Sequence, residues 1–381
     1  MRKVFYAYAV NNSGPDSRVE AFLNLPAAPY EILDAMDKLR CGDGAGVKCR
    51  VAELYRFGSL VPFLSEPNDL RELNALAQKL SELDEQQEVA FEGLLMIEYR
   101  TKQAPIDLPD LIDLAYSTDR CHVVGEALND SQLGRFCAEK SFVPGAEDLP
   151  DSLFELLDFE RIGREHRHQT GGVIVERTAD HPGGYVEQYA KLVQAYKDLD
   201  LTEKRPDYTI LLEMETGSRC KLPSAVLPQG RYTCLDCKAP SLTDMISDAG
   251  DIYAANRLAQ RLAVMRPQVL NGYKALLEAV ECGTLQQAEH LIDALGVYTF
   301  SPEYGSPVEV AKGELAVILC DKERELLEPC LDLYQYGEAL IEDCGGVLTD
   351  YGLIKREDRH PVQDWEPAQD SHAHGGGMTL G

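Results

Sequence analysis

The chain repeats itself, and this repeat restricts its possible folds more than any other feature. Asn74–Leu80 (NALAQKL) returns 182 residues later as Asn256–Leu262 (NRLAQRL). A Leu-Ile-Asp triplet at 111–113 returns at 291–293, and the glycine pair at 171–172 returns at 345–346. Amphipathic helices alone explain recurring leucines, but not Asn, Gln and paired glycines in the same order. The repeat therefore predicts two diverged copies of one module.

Periodicity within the copies predicts both strands and helices. Apolar runs at 4–10, 173–175 and 208–214 are typical of strands. Leucines spaced three and four apart from Leu70 to Leu83 predict a helix, and a long helix is expected from near Pro150 through Ile162. The expected fold is α+β, with two tandem elongated modules. Each would have a small β-containing subdomain, a helical bundle-like middle and a mixed α/β end.

Breaks in these patterns place the module boundaries. The first module is expected at 1–178 and the second, more diverged one at 207–355. His181-Pro182-Gly183-Gly184 opens a predicted connector at 179–206, which would hold a short helix from about Val186 to Leu199. The polar, glycine-containing tail at 356–381 is predicted to be disordered.

Net charge limits the partners of the chain. It has 37 Lys and Arg against 64 Asp and Glu, a formal charge of −27. A basic footprint is absent, so the sequence disfavours direct binding to nucleic acid or to an anionic membrane. The first residues do not resemble a signal peptide, and no apolar run approaches the ~18 residues of a membrane helix, so a cytoplasmic protein is expected. The charge suits a partner with a basic groove, although a merely salt-tolerant surface has the same composition.

Acidic residues recur at helical spacing in both copies. Stripes of this kind are candidate partner-binding surfaces, because residues three and four apart share one helix face. The candidates in the first copy are Glu85, Glu88, Glu92, Asp148, Asp151, Glu155 and Asp158. Those in the second copy are Asp321, Glu325, Glu328 and Asp332.

Several segments together resemble the ArdA antirestriction family of conjugative elements and phages. The opening strand with Phe22–Pro26 is similar to the family's first part, and the helices at 73–95 are similar to its central part. The most specific stretch runs from Leu149-Pro150-Asp151 through Leu157-Asp158-Phe159 to Gly171-Gly172. The second copy keeps Leu331-Asp332-Leu333 and Gly345-Gly346, but only Leu222-Pro223 of the early pattern.

The resemblance implies an acidic protein that mimics bent DNA and blocks the DNA-binding groove of type I restriction-modification enzymes. Such proteins are anti-defence factors of mobile genetic elements. The family usually has one module per chain and dimerises, so two modules imply a monomeric pseudo-dimer or a homodimer. Inhibition of another DNA-targeting defence system, such as a CRISPR effector, is the alternative, because the same acids would serve either target.

Sites for catalysis or metal binding have less support in the sequence. No nucleophile motif or phosphate-binding loop is present, so the chain is expected to be neither an enzyme nor a cofactor-binding protein. Cys234 and Cys237 form a lone CxxC, with Cys220 nearby, and zinc would need a fourth ligand, for example from the histidines of the tail. Glu165-His166-Arg167-His168 is interpreted as a solvated helix end. A metal-dependent enzyme built on these cysteines and histidines is the remaining alternative.

Overall fold

The protein has the mixed α+β fold that the sequence predicts. A computed structural model of the chain describes residues 2–14, 17–41, 46–178, 181–202 and 205–364. Over these ranges the strands form four small sheets, and helices lie between them. No helix in the described ranges is long and apolar enough to cross a membrane.

The N-terminal half of the chain holds seven strands and seven helices in its described residues. The strands are β1 (Phe5–Gly14), β2 (Ser17–Leu25), β3 (Lys48–Leu54), β4 (Asn68–Asp69), β5 (Cys121–Val124), β6 (Val173–Val175) and β7 (Gly184–Gln188). The helices are α1 (Pro29–Lys38), α2 (Leu70–Glu82), α3 (Glu85–Thr101), α4 (Leu108–Ala115), α5 (Asp130–Glu139), α6 (Asp151–Phe154) and α7 (Phe159–Thr170). Short 3₁₀ turns occupy Gly58–Leu60, Thr118–Arg120, Ala146–Asp148 and Ala195–Asp198.

The C-terminal half follows a similar order. Its strands are β8 (Ile210–Met214), β9 (Arg219–Leu222), β10 (Tyr232–Cys237), β11 (Tyr298–Ser301), β12 (Val347–Thr349) and β13 (Gly352–Arg356). Its helices are α8 (Thr243–Ala249), α9 (Ile252–Ala263), α10 (Pro267–Ala279), α11 (Leu285–Ala294), α12 (Pro307–Ile318), α13 (Asp321–Leu327) and α14 (Leu333–Asp343). Here the 3₁₀ turns are Pro240–Leu242, Leu295–Val297 and Glu328–Cys330.

The chain divides into two compact units, but not at the predicted boundaries. The first unit comprises 1–9, 22–27 and 44–204, and the second comprises 10–21, 28–43 and 205–381. The predicted connector at 179–206 is wrong, because it contains β7, the central strand of the sheet β5-β7-β6. The prediction of a helix from Val186 to Leu199 is also wrong, because its first residues belong to β7. Tyr185 and Val186 are fully buried side chains of that strand.

The predicted tail is partly ordered. Arg356 ends β13, and Val362 is buried in the core of the second unit. The expectation of disorder is therefore wrong for 356–364, where an apolar side chain fixes the segment. The rest of the predicted tail, 365–381, lies outside the described residues.

Helix α2 illustrates how the sequence determines a helix of the first unit. Asp69 caps it by accepting hydrogen bonds from the backbone N–H groups of Arg71 and Glu72, at 3.0 and 3.5 Å. The apolar side chains spaced three and four apart face the core and are fully buried, namely Leu70, Leu73, Leu76, Ala77 and Leu80. The helix predicted from this spacing is confirmed.

The recurring asparagine makes the same contacts in both halves. Asn74 accepts from the N–H of Ala27 at 2.7 Å and donates to the carbonyl oxygen of Ala27 at 3.3 Å. Asn256 makes this pair of bonds with Ser224, at 2.8 and 3.1 Å. Ala27 and Ser224 each follow a Leu-Pro pair. A side chain on the helix thus fixes the turn after the second strand in each half.

The sheets of the two halves also share their strand order. β1 lies between β2 and β3 in the order β2-β1-β3-β4, and β8 lies between β9 and β10 in the order β10-β8-β9. The later sheets are β5-β7-β6 and β11-β13-β12, each with its last strand in the centre. The opening sheet of the second half is therefore present, although the sequence pattern keeps only Leu222-Pro223 of it.

Candidate partner-binding surface

The most acidic exposed segment of the first unit lies at 146–160. It contains six acids and neither Lys nor Arg, and its four predicted residues, Asp148, Asp151, Glu155 and Asp158, are all exposed. The prediction that these four residues share one helix face is wrong. Asp148 lies in a 3₁₀ turn, Asp151 begins α6, Glu155 follows that helix, and Asp158 precedes α7.

A capping interaction explains why the predicted long helix is interrupted. The Asp158 carboxylate accepts from the backbone N–H of Arg161 at 3.0 Å, as the N-cap of α7. An N-cap has non-helical backbone angles, so the helix predicted through Ile162 starts only at Phe159. Asp158 therefore has a structural role in addition to its charge.

Ion pairing separates the acids of this segment into two groups. Arg135 donates to both oxygens of Glu155, at 3.2 and 2.5 Å, and Arg164 pairs with Glu160. Glu147, Asp148 and Asp151 have no Lys, Arg or His nitrogen within 4 Å among the described residues. Glu147 and Glu160 were missed by the sequence analysis, because neither fits the spacing used to find the stripe. The uncompensated charge lies mainly at 147–151.

The predicted stripe on α3 is wrong for two of its three residues. Glu85 is exposed, but Glu88 is buried, with 1% of its side chain accessible, and it pairs with Arg56. Glu92 accepts from the Ser59 hydroxyl at 3.0 Å, and its Oε2 lies 3.2 Å from His181 Nε2 without the alignment of a hydrogen bond. Both carboxylates are turned toward partners inside the first unit, and Glu88 is too buried to contact another protein.

Two of the four predicted acids of the second unit lie near one arginine. Asp321 and Glu325 lie on α13, Glu328 lies in the following 3₁₀ turn, and Asp332 caps α14 by accepting from the N–H of Gln335 at 3.0 Å. The single helix face predicted for this set is therefore also wrong. Arg324 lies 2.7 Å from Asp321 and 3.6 Å from Glu328. Glu325 and Asp332 are exposed, with no basic nitrogen within 4 Å in the described ranges.

Exposed aliphatic side chains accompany the acids in both units. In the first unit, Leu153 and Leu156 lie between the acids, and 78% of Leu156 is accessible. In the second unit, Leu326, Leu327 and Leu331 are exposed among the corresponding acids. A charged surface that also presents apolar groups has the mixed character of protein–protein interfaces.

The candidate zinc cysteines do not form a metal site. Cys220 on β9 and Cys234 on β10 both pair with Leu212, so the central strand β8 separates them. Burial raises the pKa of Cys234 to about 12 and that of Cys237 further, whereas zinc binds the thiolate. Among the described residues, no group of three or more His, Cys, Asp or Glu side chains could hold a metal. The tail histidines His372 and His374, which could supply a further zinc ligand, lie outside the described residues.

A histidine-containing cavity of about 350 Å³ lies in the first unit. His166 Nε2 lies 3.2 Å from Glu187 Oε2, and the same oxygen accepts from the Tyr185 hydroxyl at 3.0 Å. His166 is thus half-buried in a hydrogen-bond network, and the predicted solvated helix end is wrong for this residue. Desolvation raises the pKa of the one thiol in the lining, Cys121, to about 11, so this thiol is a poor nucleophile at neutral pH.

No known family model matches this chain, and a comparison with curated proteins finds no match either. The function is therefore inferred from the sequence resemblance together with charge, exposure and contacts.

Proposed function

We propose that the protein is an acidic DNA mimic that binds the DNA-binding groove of a type I restriction-modification enzyme and blocks it. The proposal combines the resemblance of residues 149–172 to the ArdA family with the exposed, uncompensated acids at 147–151. The protein would act in the cytoplasm of the cell as a binding protein, without catalysis or a cofactor.

We infer further that the two halves are diverged copies of one module. The matching bonds of Asn74 and Asn256 support this inference, because a polar contact with a specific turn does not follow from amphipathicity. The shared strand orders of the opening and closing sheets support it independently. On this proposal, one chain contains both modules, whereas a single-module protein would need two subunits. A monomeric pseudo-dimer is therefore expected, and a homodimer is the alternative.

One observation carries the functional proposal, namely the absence of basic partners around Glu147, Asp148 and Asp151. Acids that already have an intramolecular partner offer little net field to a second protein, whereas uncompensated acids attract a basic groove and accelerate association. The nearby Leu153 and Leu156 would then contribute apolar contact after the electrostatic encounter. The second unit, in which Arg324 lies near both Asp321 and Glu328, would contribute less of the field.

A DNA-displacement experiment tests the proposal. The full chain is titrated into a complex of a type I methyltransferase core with a fluorescent duplex at about 0.05 M salt, where surface electrostatics are weakly screened. We expect full displacement of the duplex, and an apparent affinity at least about tenfold weaker at roughly 0.3 M salt. A type I enzyme that keeps its DNA at low salt, with saturating protein present, would contradict the proposal.

A further inference from the structure

A cavity of about 400 Å³ lies in the second unit, away from its acidic segment. Its walls come from α1, from the residues that lead into β8, from the end of β10 and from the turn between α9 and α10. Tyr30, Leu33, Tyr208, Met265 and Leu270 supply much of the apolar lining. The volume lies within the range of small-molecule sites, which combine apolar walls with a few polar groups.

The lining contains three cations, Arg205, Lys238 and Lys274, and two acids, Asp37 and Asp207. Lys274 is paired with Asp34 at 2.7 Å and with Asp37 at 2.9 Å. Asp207, the other acid of the lining, is paired with Lys221 at 2.6 Å. Both acids of the lining therefore already have a cationic partner. Neither acid is therefore free to pair with a further cation of the wall.

Lys238 is this further cation. Its ammonium donates to the carbonyl oxygens of Leu262 and Met265, at 2.8 and 3.4 Å, at the C-terminal end of α9. Among the described residues no carboxylate lies within 4 Å of it. Burial, and after it the charges of Lys274 and Arg205, lower the pKa of Lys238. An ammonium has three donors, so one remains for a ligand.

A second polar group of the lining is also unsatisfied. The side-chain oxygen of Asn271 is buried and has no hydrogen-bond donor among the described residues. Buried polar atoms without a partner are uncommon, and a bound molecule is one of the ordinary explanations. The Asn271 oxygen can therefore accept a hydrogen bond from a ligand that carries a donor, in addition to the contact at Lys238.

We propose that this cavity binds a small organic anion, with its carboxylate or phosphate at Lys238 and a flat apolar body against Tyr30 and Leu270. The protein has a net charge of −27, but the lining of this cavity has more cations than acids. The proposal is independent of the DNA-mimic function. It assigns the second unit a ligand site in addition to its role as a module.

The test is calorimetric titration of the full chain with phenyl phosphate, with benzoate and with the uncharged benzyl alcohol at low salt. We expect saturable binding of at least one of the two anions at one site per chain, and binding of benzyl alcohol at least about tenfold weaker. The anion that binds more tightly identifies the preferred head group. Absence of saturable binding by both anions, or equal binding of benzyl alcohol, would overturn the proposal.

Two variants locate the site. Lys238→Met keeps the length of the side chain and removes its charge, and should weaken anion binding at least about tenfold. Lys322→Met, on the exposed surface of α13, removes the same charge elsewhere and should leave binding unchanged. If Lys238→Met does not fold, Asn271→Asp places a negative charge in the lining and should weaken binding by a similar factor. Unchanged binding in the folded Lys238→Met variant, or in Asn271→Asp, would refute this location.

Discussion

At the scale of single residues, acids of similar spacing have four different environments. Glu88 is buried against Arg56, Asp158 and Asp332 cap helices, Glu155 is paired with Arg135, and Asp151 is exposed without a basic partner. The sequence cannot separate these cases, because the partner of a carboxylate is often far away along the chain. Arg56, for example, precedes Glu88 by 32 residues.

Replacement of Glu88 by alanine should destabilise the first unit strongly. The change leaves the Arg56 guanidinium, itself only 15% accessible, without its carboxylate. Breaking a buried pair by removing one partner costs about 3–5 kcal/mol. Urea unfolding should therefore show a much lower midpoint for Glu88→Ala. Glu85→Ala, on the exposed first turn of the same helix, is the matched control and should change the free energy of unfolding by less than about 1 kcal/mol. Equal midpoints for the two variants would refute the assignment.

Asp236 should make the second unit less stable as the pH rises. Its carboxylate accepts from the Tyr208 hydroxyl at 2.8 Å and from the N–H of Tyr30 at 3.2 Å, yet burial raises its pKa to about 6. The folded protein thus holds this proton more tightly than the unfolded chain, whose Asp pKa is about 3.9. The stabilising contribution is complete below pH ~4 and is lost as the pH rises through about 6.

The measurement is the urea midpoint at about pH 4.5 and about pH 7 for the native chain and for Asp236→Asn. General charge repulsion affects both proteins, so the informative quantity is the difference between their pH slopes. We expect the native chain to lose about 2 kcal/mol more than the variant over this range. Parallel profiles would show that Asp236 does not titrate as described.

At the scale of elements, periodicity predicted some helices and strands correctly. It also predicted two helices, at 150–162 and 186–199, that do not form as expected. Helix α2 follows the leucine spacing, and the strand predicted at 208–214 is confirmed as β8. Strand β7 was missed because the glycines at 183–184 are typical of a loop, whereas here they lead into a buried central strand. The contribution of α1 to the second unit was also missed. It depends on contacts such as Tyr351 with Asp34, at 2.8 Å, that join residues 317 positions apart.

The close packing of α5 on α7 makes a prediction about Gly163. A Cβ at this position would lie 1.9 Å from the carbonyl oxygen of Asp130, so the helices would have to separate. Alanine normally stabilises a helix relative to glycine by about 1 kcal/mol, but overpacking here should reverse the sign and cost about 1–3 kcal/mol. Thermal unfolding of Gly163→Ala measures the effect. Gly125→Ala, with no atom within 4 Å of the new Cβ, is the control, and a stabilised Gly163→Ala would contradict the packing.

At the scale of the whole molecule, the α+β class and the net charge were predicted from the sequence, whereas the arrangement of the candidate acids was not. The repeat predicted two similar halves, and both halves have the same strand order in their opening and closing sheets. The four candidate acids at 148–158 are exposed, but they do not lie on one helix. Periodicity cannot show that the helix α6 ends at Phe154, or that Asp158 caps a new helix, α7, which begins at Phe159.

The DNA-mimic function depends on uncompensated charge at 147–151, and one comparison tests this claim most directly. The measurement is the half-inhibitory concentration against DNA binding by a type I methyltransferase at low salt, for two variants of equal charge. We predict that Asp148→Asn/Asp151→Asn inhibits at least about tenfold more weakly than the native chain. Glu215→Gln/Asp248→Asn, which neutralises two exposed acids of the second unit, should inhibit as the native chain does. Equal inhibition by both variants, or a greater loss in the second, would contradict the claim.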